Sequence, residues 1–337
     1  EPLKEPATLA MDLQHLRRIG LPLVVEGHQT TEMCESRPEI FNRRVVAVMP
    51  THSEFDEEAV AAAAAGLPVA RFALTDEVTL AGLPDKEPGD RFVGIFRGFM
   101  LSKRRRQFLH DKLRELGVEL LVTPTEYAAA HLFPATFDAL RPLSPRAAWV
   151  SVDPKRVQPA NFEEVVQSVS SWGCPYVLLK DFVKSAKAHG QRFMKVPVDG
   201  DLSELACDFV AARGSQFNEG VVFKEYVDLA RYPARGEPTT NEWRLWFMQG
   251  RLVEASPNSF QGDAAVRPAE ALLAEVATMA KCIPNPYITI DVAEAETGWI
   301  VLEAGDGGVS GPAPGQDLSH HWQLLAAHFG KADGPSA

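Results

Sequence analysis

Apolar positions along the chain change their pattern near the middle. In the first 150 residues, short unbroken apolar runs at 21–25, 44–49, 68–74, 92–96 and 119–123 are rich in Val, Ile, Leu and Phe, without two-faced alternation. Such runs mark strands of a parallel sheet whose faces are both covered by helices. Between them, Thr51-His52-Ser53-Glu54 has capping-box spacing ahead of a helix over 55–65, and Gly66 supplies its stop. Ser102 opens a second helix carrying Phe108, Leu109, Leu113 and Leu116, ended by Gly117. Strand–helix–strand units with short links predict a small Rossmann-like domain, but no GxGxxG follows any strand, which argues against dinucleotide binding.

Residues 141–159 hold Pro142, Pro145, Pro154 and Pro159 and mark the expected boundary. Beyond it the expected elements are a helix capped by Asn161 and Glu164 and ending near Gly173, and a strand over 176–183. A helix opened by Asp201 and Glu204 and stopped at Gly214 comes next, then a strand over 220–227. Strands at 242–248 and 251–255 flank Gln249-Gly250, a hairpin signal. A helix at 268–281 precedes strands at 287–292 and 299–303, joined by a turn ending Thr297-Gly298. The fold class expected is therefore α/β followed by α+β, without long internal repeats.

Composition narrows the function. With 337 residues, 45% of them hydrophobic, the chain can build two or three packed domains. Lys+Arg 34 against Asp+Glu 45 gives a net charge of −11, which argues against a surface coating nucleic acid or anionic membrane. The 4 cysteines form no CxxC pair, which points to a reducing compartment. No run has the roughly 20 apolar residues of a membrane span, and the N-terminus as it stands shows no signal peptide, so a cytoplasmic protein is the expectation.

Candidate chemistry starts at Asp291 and Glu303, each set in an otherwise apolar strand. A hairpin would bring both carboxylates to one site, where like charges need a cation or proton between them. Oxygen ligands without nearby His or Cys suit Mg²⁺, and the glycine-rich loop 304–311 that follows permits close backbone approach. The alternative is an exposed hairpin with polar ends. Lys180 ends an apolar strand and is followed by Lys184 and Lys187, a phosphate site or a solvated loop. Arg244 lies two residues after Glu242 and so shares its strand face, either to stabilise a transferring phosphoryl group or to pair with Glu242. Arg97 stands at the C-terminal edge of a parallel strand, placed for a substrate carboxylate or for a structural ion pair. The run Lys103-Arg104-Arg105-Arg106 opposes a helix macrodipole but is best explained as a solvated face. His320 and His321 are expected at the surface, and Trp243 and Trp246 in a core or pocket wall.

Taken in order, the apolar strand ending in Lys180, the strand Val221-Val222-Phe223 running into Lys224-Glu225-Tyr226-Val227, Glu242-Trp243, Ile290-Asp291-Val292 and Leu302-Glu303-Ala304-Gly305 resemble the ATP-grasp superfamily. Within it they look most like a divergent clade of carboxylate–amine (peptide or amide) ligases. The resemblance implies a Rossmann-like pre-ATP-grasp domain at 1–150, a small grasp subdomain at 151–228 and a large subdomain with the metal site at 229–330. It implies ATP and Mg²⁺ as cofactors, with Lys180 on the α/β phosphates. Glu225 and the backbone of Tyr226 and Val227 would read the adenine edge, and Glu242 the ribose. Asp291 and Glu303 would hold Mg²⁺.

The chain departs from that pattern in three places, one of them the loop 229–240 between Glu225 and Glu242, which is longer than the simplest family pattern. The common third metal ligand is an Asn where this chain has Gly305, and Asp306 is the expected substitute. The usual small-residue loop over the phosphates is replaced by 183–190, where Lys187, ahead of Lys184, is expected to act by charge. The function implied is an ADP-forming ligase working through an acyl phosphate on a small-molecule or peptide carboxylate and an amine; a homodimer is compatible with it. A phosphotransferase without an amine acceptor and a non-catalytic nucleotide-binding module are the alternatives.

Overall fold

Residues 43–74, 77–85, 87, 89–184, 192–233, 238–260 and 266–330 are described by a computed structural model of the chain. The strand expected at 21–25 and Lys187 lie outside them. Strands β1 (Val45–Pro50), β2 (Val69–Leu74), β3 (Val78–Ala81), β4 (Phe92–Phe96) and β5 (Val118–Leu120) form one sheet in the order β3-β2-β1-β4-β5. The pairings of β2 with β1, β1 with β4 and β4 with β5 are parallel, and β3 joins the edge antiparallel. β4 is buried throughout, as its unbroken apolar run requires. The helix Asp56–Ala64 follows β1 after a 3-10 turn in which the His52 ring, not Thr51, accepts from the backbone of Glu54. Ser102 caps the helix Lys103–Glu115 as expected.

The second sheet has the order β6-β9-β7-β8, built from β6 (Ala147–Ser151), β7 (Tyr176–Asp181), β8 (Val196–Pro197) and β9 (Gly220–Glu225), all antiparallel. Leu179, Val177, Val221 and Phe223 face the helices Glu163–Ser170 and Leu202–Arg213. The alternate residues, Lys180 and Lys224 among them, face away from that core. β6 falls in the proline-rich stretch expected to link domains and pairs with β9 along its whole length.

A two-stranded ladder, β10 (Arg231–Tyr232) with β11 (Thr239–Thr240), leads into the third sheet. There β12 (Glu242–Met248), β13 (Arg251–Pro257), β14 (Tyr287–Ala295) and β15 (Gly298–Asp306) run in the order β13-β12-β14-β15. Gln249 and Gly250 both take positive φ, 49° and 69°, the conformation of a two-residue hairpin turn. One face, with Leu245, Phe247, Ile288 and Ile290, packs with residues of the helices Glu270–Ala280 and Phe133–Leu140. On the other face, Trp246, Met248 and Tyr287 enter the core of the N-terminal sheet.

Three packing relations were not legible in the sequence. The helix Pro124–His131, begun by a Thr123–Glu126 capping box with Pro124 in its first turn, and the helix Phe133–Leu140 both follow β5 and lie against β15. The helix Leu318–Phe329 packs on Asp56–Ala64 and places Trp322, Leu325 and Phe329 in the N-terminal core. No helix among the described residues is long and apolar enough to cross a membrane. Leu325 is fully buried, so Leu325→Ala should cost roughly 2–5 kcal/mol in urea unfolding, as removal of a core leucine does. A smaller loss would show that the C-terminal helix is only lightly docked.

Candidate active site

Arg244, Asp291 and Glu303 sit directly opposite one another on β12, β14 and β15. Residues opposed in this way share a face, and this one is the continuation of the Trp246 and Tyr287 face. Arg244 clamps Asp291 bidentately, Nε to Oδ1 at 2.9 Å and Nη2 to Oδ2 at 2.7 Å. Asn258 Nδ2 also donates to Asp291 Oδ2, at 3.2 Å. Burial pushes the Asp291 carboxyl up, and Glu303 and Glu242 add to the rise, while Arg244 opposes it. The Glu303 side chain is half exposed, and Lys180 Nζ reaches it from the second sheet at 3.2 Å. Lys180 is itself buried, its ammonium 5.4 Å from the Phe133 ring.

The pairing of β14 with β15 shifts register after Asp291, so Leu302 is a surplus residue between Val301 and Glu303. Lys224 donates to the carbonyls of Leu302 at 2.7 Å and Val301 at 3.4 Å, at that bulge. Burial, followed by the like charge of Lys180, pushes the Lys224 ammonium down to about 7, against the pull of Glu303. Lys224 was not among the expected phosphate-facing lysines, although alternation along β9 places it on the face that carries Lys180.

Several expected assignments change. Asp306 is three residues beyond Glu303 and therefore lies on the opposite face, opposed to Ile288. It is fully buried and accepts from Asn285 Nδ2 at 2.9 Å, so it is not a third ligand beside Glu303. Among the described residues no three His, Cys, Asp or Glu side chains are grouped as a metal site. The pair Asp291 and Glu303 nonetheless fits a Mg²⁺ ion that fills its remaining positions with phosphate oxygens and water.

Arg97 is also reassigned. It is buried and donates to both oxygens of Glu58, at 2.7 and 2.9 Å, and to the carbonyls of Gly307 and Ser310. The carboxylate it holds is the chain's own, and its remaining bonds fix the glycine-rich loop to β4. His321 is likewise not a surface residue. It lies buried between Glu254 Oε2 at 2.7 Å and the Tyr287 hydroxyl at 2.8 Å. Arg106 leaves the solvated run to lie between the rings of Phe96 and Tyr127, 4.4 and 4.9 Å from their centroids.

The Glu225 carboxylate is held by Arg146 through two 2.8 Å bonds, which keep it below the ordinary carboxylate range despite partial burial. The Tyr226 amide donates to the Tyr176 carbonyl at 3.1 Å and so is already engaged within the chain. Glu242 accepts from the Thr240 hydroxyl at 2.6 Å, and Arg244 pairs with Asp291 rather than with Glu242. Lys184 is exposed, its backbone tied to Asp181 from both directions, N–H to Oδ1 at 2.6 Å and carbonyl from N–H at 2.9 Å.

Beside this row opens a cavity of about 940 Å³ between the three sheets, lined by the 97–102 loop, Lys184, Arg213, Ser310, Gly311 and His131. The glycine-rich loop touches the carboxylate row as well: the Gly311 carbonyl accepts from Arg244 Nη1 at 2.6 Å, and Ser310 Oγ lies 2.7 Å from Thr289 Oγ1. The cavity and the charged row thus share one wall.

Removing one partner of the buried Arg97–Glu58 pair leaves a charge without its counterion. Glu58→Gln should therefore cost roughly 3–5 kcal/mol in urea unfolding, while Lys103→Ala, which removes an exposed pair with Glu219, should cost less than about 1 kcal/mol. Burial pushes the Glu58 carboxyl up, but Arg97 outweighs it and the folded value lies below the ordinary 4.5. Its contribution is thus complete above about pH 4.5 and is lost as pH falls through the folded value. Urea midpoints across acid pH should show a drop in the wild type that Glu58→Gln flattens.

Residues 154–325 match a family model for an ATP-grasp domain, family 3 of its clade. No curated protein matches the sequence. Among solved structures the chain is similar to D-cycloserine synthetase DcsG, with a TM-score of 0.55 and 14% identity over 85% of this chain and 99% of that one. A RimK domain protein ATP-grasp from Sphaerobacter thermophilus DSM 20745 gives a TM-score of 0.52 and 16% identity, covering 86% and 98%. The ATP-grasp ligase PsnB, solved with a minimal precursor, gives 0.50 and 16%, covering 85% and 99%. At these identities the likeness is one of fold, a mixed α/β architecture.

Proposed function

The chain belongs to the ATP-grasp family, and on that premise we propose that it is an ATP-dependent, ADP-forming ligase that joins a carboxylate to an amine. The observation that carries this reading is the Lys180–Glu303 contact, which closes one sheet onto the Arg244–Asp291–Glu303 row of another. A cation from one subdomain meeting paired carboxylates of the other makes a cleft suited to the polyphosphate and divalent cation of a nucleotide.

In this reading the N-terminal sheet belongs to the pre-ATP-grasp domain. The small grasp subdomain begins with β6 at Ala147 rather than at 151, because β6 pairs with β9 along its whole length; it runs to 228, and 229–330 is the large one. Lys180 and Lys224 face the phosphates, with Lys184 and Lys187 on the loop above them. The Val227 backbone meets the adenine edge and Glu242 the ribose. Asp291 and Glu303 would hold Mg²⁺, which would neutralise phosphate oxygens. Arg244 keeps Asp291 oriented and presents a fixed positive charge to the transferring group.

The substrate carboxylate lies in the adjoining cavity and attacks the γ-phosphorus. The bond to the β–γ bridging oxygen breaks and ADP departs. The amine nitrogen then bonds to the acyl carbon, and phosphate leaves with the electron pair of the broken C–O bond. Positioning and electrostatics carry most of such a phosphoryl transfer. The size of the cavity suits a small-molecule or peptide carboxylate.

Asp291→Asn and Glu303→Gln should each lower amine-dependent ADP release by about 100-fold or more, the scale of losing one fixed electrostatic group at a reacting centre. Their unfolding temperatures should stay close to that of the wild type. Undiminished turnover in both variants would refute the site, and ADP release without any amide product would replace the ligase with a phosphotransferase.

A further inference from the structure

His131 ends the helix Pro124–His131, is only 9% exposed and lines the cavity between the sheets. Among the described residues nothing hydrogen-bonds to its ring. Its ring nitrogens are not among the sealed polar atoms without a partner, so they open to the cavity within reach of a ligand. The ring is held in place rather than loose. It stacks on Tyr127 at 4.7 Å, and the Tyr127 hydroxyl is fixed by the Leu101 carbonyl at 2.9 Å and the Leu101 amide at 3.2 Å.

The charged groups that act on His131 come from every element around it: Glu303 on β15, Lys180 on β7, Lys184 just beyond it and Arg106 on the helix Lys103–Glu115. Burial pushes the imidazole down to about 4; Glu303 pulls upward, and the three cations pull downward. It is therefore neutral at physiological pH, with a lone pair available.

Resting on the ligase reading above, we propose that His131 is the proton acceptor for the amine substrate in the cavity it lines. As the amine nitrogen bonds to the acyl carbon and phosphate leaves with the C–O electron pair, the N–H proton passes to a ring nitrogen of His131 and from there to solvent. The substrate class that follows is a primary amine entering through the cavity, beside Ser310 and Gly311, rather than water or an alcohol.

The test compares wild type with His131→Gln and His131→Asn, supplying MgATP with a mixture of free amino acids and dipeptides as acid and amine. Hydroxylamine is added in a parallel arm, because it is uncharged at neutral pH and captures acyl phosphates with solvent taking the released proton. Amide formation should fall by about 100-fold in kcat with little change in KM, while hydroxamate formation stays within about threefold. Equal loss in both arms would show a structural role and overturn the proposal, and so would unchanged amide formation. A wild type that gives neither amide nor hydroxamate also overturns it for these amines.

MgATP binding measured on the same samples separates the two claims. Absence of binding refutes the ligase reading itself, whereas binding with the wrong variant pattern refutes His131 alone.

Discussion

Two carboxylates directly opposed on neighbouring strands repel each other, and the rest of the site is organised around that constraint. Asp291 and Glu303 are opposed on β14 and β15, and each meets a cation from a different direction. Arg244 reaches Asp291 within the sheet and Lys180 reaches Glu303 from the other sheet. The two pairs differ in kind. Asp291 is buried and clamped through both oxygens, while Glu303 is half exposed and touched by one ammonium. The first is held through both oxygens within the sheet, and the second keeps one side open to solvent.

The register shift after Asp291 extends this arrangement to the backbone. At the surplus residue Leu302, two successive carbonyls accept from Lys224, so β9 is anchored at the point where β15 presents Glu303. Behind the site the glycine-rich loop hangs from β4 through Arg97, whose own charge is matched by Glu58 in the helix Asp56–Ala64. The N-terminal sheet is thereby connected to the loop that forms the wall between the charged row and the cavity. Trp322 and Leu325 from the C-terminal helix complete that sheet's core, which binds both ends of the described chain into one support.

Much of this was legible in the sequence because it is local. Asp201 capping its helix, the Gln249-Gly250 hairpin and the opposition of Asp291 with Glu303 follow from residue types and short spacings. What escaped is mostly long-range. Nothing near Arg97 identifies Glu58, 39 residues earlier, as its partner, and nothing near His321 announces Glu254 and Tyr287. Other misses were open to local reasoning. Alternation alone separates Asp306 from Glu303 and puts Lys224 beside Lys180, and Thr123-Pro124 with Glu126 carried a helix start. β6 was hidden by the prolines around it, which mark its ends and not a linker.

On the ligase proposal, the cleft between the second and third sheets takes a nucleotide with its divalent cation, Lys180 meeting the phosphates. Isothermal titration of ATP into wild type and Lys180→Ala, with Mg²⁺ and again with EDTA, tests it most directly. Wild type should bind with Mg²⁺ and much more weakly in EDTA. Lys180→Ala should lose at least about tenfold in affinity, the scale of one charge-assisted hydrogen bond. Absence of binding at millimolar MgATP, or binding indifferent both to Mg²⁺ and to Lys180, would contradict it.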